Sequence, residues 1–123
     1  MPIEFQQWIT RNDLRNNRDK LYVFGDNVQR SGFAGQAKEM RGEPNSIGVV
    51  TKWAPSMSPG AFFDDTAACK ALVERDLLVV QQALDRGRTV VVPSDGIGTG
   101  LSRLPKYAPK LDAFIKEWFR SRL

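Results

Sequence analysis

Residues 21–37 read Leu-Tyr-Val-Phe-Gly-Asp-Asn-Val-Gln-Arg-Ser-Gly-Phe-Ala-Gly-Gln-Ala. The apolar β-branched and aromatic run Leu21–Phe24 predicts a short buried strand. A break is expected at Gly25-Asp26-Asn27, then a loop punctuated by Gly32 and Gly35, then a helix over Gln36–Met40. Strand, glycine loop and helix in that order bring bare backbone N–H groups up to an anion. A plain tight corner is the competing reading of the same glycines.

The flanking segments extend the pattern. Alternation over Ile3–Ile9 predicts a strand with one buried face, at the edge of a sheet. Thr10 to Asn17 predicts a short helix, with Thr10 and Asp13 spaced as a capping box. Gly42 and Pro44 stop the helix after the first glycine loop, and Ser46–Thr51 reads as a second buried strand with Lys52 at its end. After a proline- and serine-rich loop, Asp64 or Asp65 is expected to cap a long helix reaching Arg86, with Gly87 as its stop. Its apolar stripe is Cys69, Leu72, Val73, Leu77, Val80 and Leu84. Thr89–Val92 is uniformly apolar, as a central strand covered on both faces would be. A second glycine loop follows, Ser94–Leu104, and a last helix starts near Pro109.

Strands alternating with helices predict an α/β fold, a three-layer α/β/α sandwich with a mixed, mostly parallel sheet, formed by residues 1–123 as a single domain. Ligands of such sheets bind beyond the C-terminal strand ends. Gly25-Asp26-Asn27, Thr51-Lys52 and Ser94–Leu104 are therefore expected to line one rim.

Composition narrows the chemistry. The chain has one cysteine and no histidine, which argues against an internal disulfide, a zinc site and histidine general-base catalysis. Neither a metal nor a cofactor is expected. The net charge of +4 suits an anionic partner, either a nucleotide or a nucleic acid, although the basic residues are spread, with one loose cluster at Arg11, Arg15, Arg18 and Lys20. No bilayer-length apolar run or leader pattern is present, so a cytoplasmic protein without a membrane partner is expected. Neither glycine loop is followed by the Lys-Ser/Thr of a P-loop, and Gly96-Ile97-Gly98-Thr99-Gly100 lacks the spacing of a dinucleotide fingerprint.

The candidate ligand contacts are Gly25, Asp26, Asn27, Gly32, Gly35, Gln36 and Thr51, with Gly96, Ile97, Gly98, Thr99, Gly100, Leu101 and Ser102 from the second loop. Asp26 or Asn27 is expected to hydrogen-bond a base or a ribose hydroxyl. Lys52 is a candidate phosphate clamp or amine nucleophile, Asp95 a candidate acid/base group, and Trp53 a surface for a base or simple packing.

Three blocks carry a family resemblance: Phe24-Gly25-Asp26-Asn27 with Gly32 and Gly35, Val50-Thr51-Lys52, and Ile97 to Leu104. Together they resemble the motif series of macrodomains, closest to the branch of terminal ADP-ribose protein glycohydrolases and DNA-ADP-ribose-removing antitoxins. The Phe-Gly-Asp-Asn block is also similar to that of small uncharacterised phage and bacterial proteins. The resemblance implies a macro-like fold binding ADP-ribose or a related nucleotide, with an ADP-ribosylated protein or nucleic acid as the larger partner. It implies that Lys52 attacks the anomeric carbon. The carboxylate this branch uses next falls at Ser102, leaving Asp95 as the nearest substitute. A non-catalytic module or signal sponge and a basic nucleic-acid-binding protein are the alternative functions.

Overall fold

The structure, a computed structural model, describes residues 2–123. Four strands, β1 (Ile3–Gln6), β2 (Leu21–Asn27), β3 (Ser46–Lys52) and β4 (Val90–Pro93), form one sheet in the order β1-β4-β2-β3. Five helices accompany them: α1 (Arg11–Asn16), α2 (Ala37–Met40), α3 (Ala67–Asp85), α4 (Leu104–Tyr107) and α5 (Pro109–Arg120).

All neighbouring strands run parallel, because a helix separates each strand from the next. The antiparallel component foreseen in the sheet is reduced, among the described residues, to an isolated bridge between Lys52 and Phe62. Successive side chains of a strand point to opposite faces. Accordingly Tyr22, Phe24 and Val91 pack with Leu14, Ala37 and Met40 on the face carrying α1 and α2. Leu21, Val23, Val90 and Val92 pack on the other face with Val73, Leu77 and Val80 of α3 and Leu111, Ile115 and Phe119 of α5. The α/β class and the three layers follow from this division.

Local signals explain the boundaries. Thr10 Oγ1 accepts from the Asp13 N–H at 3.3 Å, and the Thr10 N–H donates to Asp13 Oδ2 at 2.8 Å, so the capping box closes. Gly87, at φ +78°, ends α3, and the Arg88 N–H returns to the Ala83 carbonyl at 3.0 Å. Three expectations are corrected. The first strand ends at Gln6 rather than Ile9. Thr66, not Asp64 or Asp65, caps α3, and Asp65 instead accepts from the Lys110 and Leu111 N–H groups at the start of α5. The third concerns Gly25-Asp26-Asn27, which does not break β2 but continues it.

Candidate functional site

The connections out of β2 and β4 decide where a ligand can sit. β2 leads to α2 on one face of the sheet, and its neighbour β4 leads to α4 and α5 on the other. Their loops part above the C-terminal strand ends and leave a crevice there. A cavity of about 230 Å³ occupies it. Ala34, Gly35 and Gln36 form one wall, and Ser94–Gly96 with Gly98–Ser102 form the other. Gly25 lies between the loops, and Gln7 and Trp8, just beyond β1, close the third side.

Glycine is required at the floor. A Cβ on Gly25 would lie 3.1 Å from the Gly98 nitrogen and 3.3 Å from Ile97 Cγ2, so its absence lets the second loop rest directly on β2. Gly98 itself has φ +78°, and a Cβ there would press on Thr51 Cγ2 at 2.9 Å. Ile97 is buried in the core as the plug of this loop, and the Leu104 N–H donates to the Gly98 carbonyl at 2.8 Å. The N–H groups of Ile97 through Ser102, by contrast, donate to no acceptor among the described residues, and neither do those of Ser31 through Gly35. Of these residues Gly98 through Ser102, with Ala34 and Gly35, line the crevice, so both loops bring unpartnered donors to its walls.

Several expected ligand groups are already occupied. Asp26 is buried, and Arg41 grips both its oxygens, at 2.5 and 3.2 Å. Asn27 donates through Nδ2 to the Ser31 carbonyl at 2.8 Å. Neither residue lines the cavity, so neither offers a side chain to a base or ribose there; Arg41 and Arg30 make the burial of Asp26 tolerable. Gln36 lines the wall, but its amide clamps Ile9, accepting from the Ile9 N–H at 2.9 Å and donating to the Ile9 carbonyl at 2.8 Å. Gly32 faces Pro55 and lies outside the cavity. The side chain of Ile97 points into the core rather than toward a ligand.

Thr51 lies beneath the wall rather than on it. The register between β2 and β3 slips after Asp26, leaving Thr51 opposite no residue. Its hydroxyl reaches Ser102 Oγ at 2.7 Å and donates to the Asp26 carbonyl at 3.3 Å.

Lys52 does not line the cavity, and the two candidate catalytic groups, Lys52 and Asp95, are not brought together in it. The Lys52 amine lies in a half-apolar niche, 3.3 Å from Met57 Sδ and 4.9 Å from the Phe62 ring centre. Burial lowers its pKa, and the positive charge of Arg103 lowers it further. Asp95 is exposed on the cavity rim. Trp53 packs edge-on against Phe63 at 5.0 Å, away from the cavity.

Sequence reading missed Gln7, Ala34 and Ser94 among the lining residues and, most consequentially, Trp8. It is 57% exposed although it lines the cavity. Only the placing of β1 beside β4 brings it there, which no local pattern announces. The basic cluster is also rewritten: Arg11, Arg15 and Arg18 converge on Glu43, and Lys20 pairs with Glu4. Burial pushes the Glu43 carboxyl up, but hydrogen bonds from Arg15, Arg18 and Arg11 outweigh it and hold the group down at about 2.

The family of unknown function (DUF7831) matches residues 4–118, which include both glycine loops and all but the first residue of the sheet. The chain belongs to that family. No curated protein and no solved structure gives a match. Among the described residues no helix is long and apolar enough to cross a membrane, and no cluster of three metal-ligand side chains occurs.

Proposed function

We propose that the crevice between β4 and β2 binds ADP-ribose or a related nucleotide, in the manner of the macrodomains that the sequence resembles, and that the chain acts first as a binding module. The observation that carries this reading is the run of unpartnered N–H groups on Gly98–Ser102, facing Ala34 and Gly35 across the crevice. Backbone donors at such a switch point suit the phosphates of a nucleotide. Among the lining residues the charged side chain is Asp95, at one end. A phosphate therefore favours the Gly98–Ser102 side, and the carboxylate is left for a sugar hydroxyl.

Size refines the pose. At about 230 Å³ the cavity is smaller than the roughly 300–1,000 Å³ usual for small-molecule sites. It suits the phosphate and ribose, with the base outside against the exposed indole of Trp8.

Removal of ADP-ribose from a modified macromolecule is the second reading, favoured by the lowered pKa of the Lys52 amine. The position of Lys52 outside the cavity ranks it below binding. A nucleic-acid-binding role rests on the net charge of +4, and the one loose basic cluster adds little to it because Arg11, Arg15 and Arg18 are paired with Glu43.

Calorimetric titration with ADP-ribose, AMP and ribose 5-phosphate tests the proposal. Gly100 has an ordinary backbone angle and open space at its Cβ, so Gly100→Glu places a negative charge in the cavity without strain. That variant should bind none of the three. Trp8→Ala should weaken ADP-ribose and AMP by about tenfold, the effect of one lost base stack, and leave ribose 5-phosphate unchanged. If the native chain binds none of the three, the reading is wrong.

A further inference from the structure

We propose that Arg41, backed by Asp26, Arg30 and Asp76, is a positioning residue that sets the shape and charge of the first glycine loop for its ligand, an inference that rests on the binding reading above. One guanidinium does two jobs. Besides its fork on Asp26, Arg41 donates through Nε to the Gly32 carbonyl at 2.8 Å and through Nη2 to the Ser31 carbonyl at 3.2 Å. The Ser31 carbonyl also receives Asn27 Nδ2. Two oxygens that would repel an anion beside the crevice are thereby tied to a cation, and the loop entering the wall at Ala34 and Gly35 is fixed at its root.

The clamp is itself supported from across the sheet. Arg30 lies 3.5 Å from Asp26 and binds both oxygens of Asp76 on α3, at 2.7 and 2.9 Å. It also donates to the Gly48 carbonyl at 2.8 Å, while Asp76 accepts from the Val50 N–H at 2.9 Å. Arg30 and Asp76 thus cover the open edge of β3, and charges alternate from Arg41 through Asp26 and Arg30 to Asp76. Two sequence features serve this chain specifically. Gly48 has no side chain where a Cβ would collide with the Asp26 carboxylate. Arg30 adopts φ +55°, a backbone state that few non-glycine residues hold unless their surroundings fix it.

Arg41→Lys keeps the charge but cannot hold a carboxylate in a fork and two carbonyls at once. Two measurements on this variant and on Asp76→Asn test the inference: 15N relaxation of the ligand-free chain and calorimetric titration with ADP-ribose. In Arg41→Lys the order parameters of Phe33–Gly35 should fall from about 0.85 to below about 0.6, with the second loop unchanged. Its dissociation constant should rise by about tenfold, and that of Asp76→Asn by about threefold, with thermal stability altered far less than in Asp26→Ala. Unchanged order of Phe33–Gly35 in both variants overturns the clamp, as does native affinity in a variant whose loop has become mobile. If the native chain binds no ADP-ribose, that counts against the function, and the relaxation data alone still decide the clamp.

Discussion

The two glycine loops face one crevice but are held in opposite ways. The first, Ser31–Gly35, has no buried plug of its own and is held by charge: Arg41 on its carbonyls, Asp26 behind Arg41, and Arg30 and Asp76 behind those. The helix that follows it, α2, is braced similarly, since Arg11 donates to the Lys38 and Arg41 carbonyls and pairs with Glu43. The second, Gly96–Gly100, is held by packing. Ile97 within it and Leu104 after it are buried in the core, and its turn closes on its own backbone, with the Gly96 N–H on the Pro93 carbonyl at 2.9 Å. Glycine spacing alone makes the loops look alike. Their supports imply that core mutations should loosen one, and electrostatic changes the other.

The largest separation should come from substitutions beneath each loop. Ile97→Ala removes the plug of the second loop and should destabilise the fold by about 3 kcal/mol, the usual range for a buried Ile truncated to Ala. Gly48→Ala pushes a methyl group against the Asp26 carboxylate and should cost about 2 kcal/mol as an overpacked site. Denaturant titration measures both, and relaxation data assign the loosened loop. Ile97→Ala should mobilise Gly98–Ser102, and Gly48→Ala should mobilise Phe33–Gly35. If both variants mobilise the same loop, the proposed division of labour is wrong.

Acid should separate the loops more gently. In the folded chain the Glu43 carboxyl is held at about 2, below its ordinary 4.5, so between those values the unfolded chain binds more protons. The stability contributed by Glu43 is therefore complete above pH 4.5 and is lost as pH falls from 4.5 toward 2. Because Glu43 gathers Arg11, Arg15 and Arg18, α1, α2 and the first loop should loosen across that window before the second loop does. Thermal melts of Glu43→Gln and the native chain, taken from pH 6 to pH 2, should converge at the acid end. Parallel curves would remove Glu43 from the account.

How far the sequence revealed this arrangement depended on the range of each interaction. The capping box at Thr10 and Asp13, the stop at Gly87 and the start of α5 at Pro109 are set by neighbours within a few residues, and all were legible. So were Gly96 and Gly98 of the second loop, whose positive φ is a local requirement. Asp26 was misread as a strand break and ligand contact, because the groups that admit it lie at Arg41, Arg30 and Gly48. Gln36 looked like a free amide until the fold placed Ile9 against it. Asp76 sits among apolar residues of α3, and only the open edge of β3 explains an acid there. Asp26 and Gln36, whose partners lie 15 and 27 positions away, show why pattern reading misplaces polar residues that act at long range.

The smallest expected effect lies outside both loops, at Lys52, which touches the second loop only through the field of Arg103. Burial is the larger cause of its lowered pKa and Arg103 the smaller, so removing the arginine should raise the value without restoring it fully. Arg103 has φ +47°, and Arg103→Asn removes the charge while keeping a residue that tolerates this backbone state. The sign of the linkage follows from the direction of the shift. The folded chain disfavours the charged amine, so Lys52 opposes folding at neutral pH, and this opposition fades as pH rises through its folded pKa toward the ordinary 10.5. Lys52→Met should flatten that part of the stability profile. A 13C-detected titration of the Lys52 side chain should move upward in Arg103→Asn, with the first loop untouched. An unmoved titration would leave burial as the sole cause and disconnect Lys52 from the second loop. A full return to the ordinary value would mean that the niche formed by Met57 and Phe62 admits water.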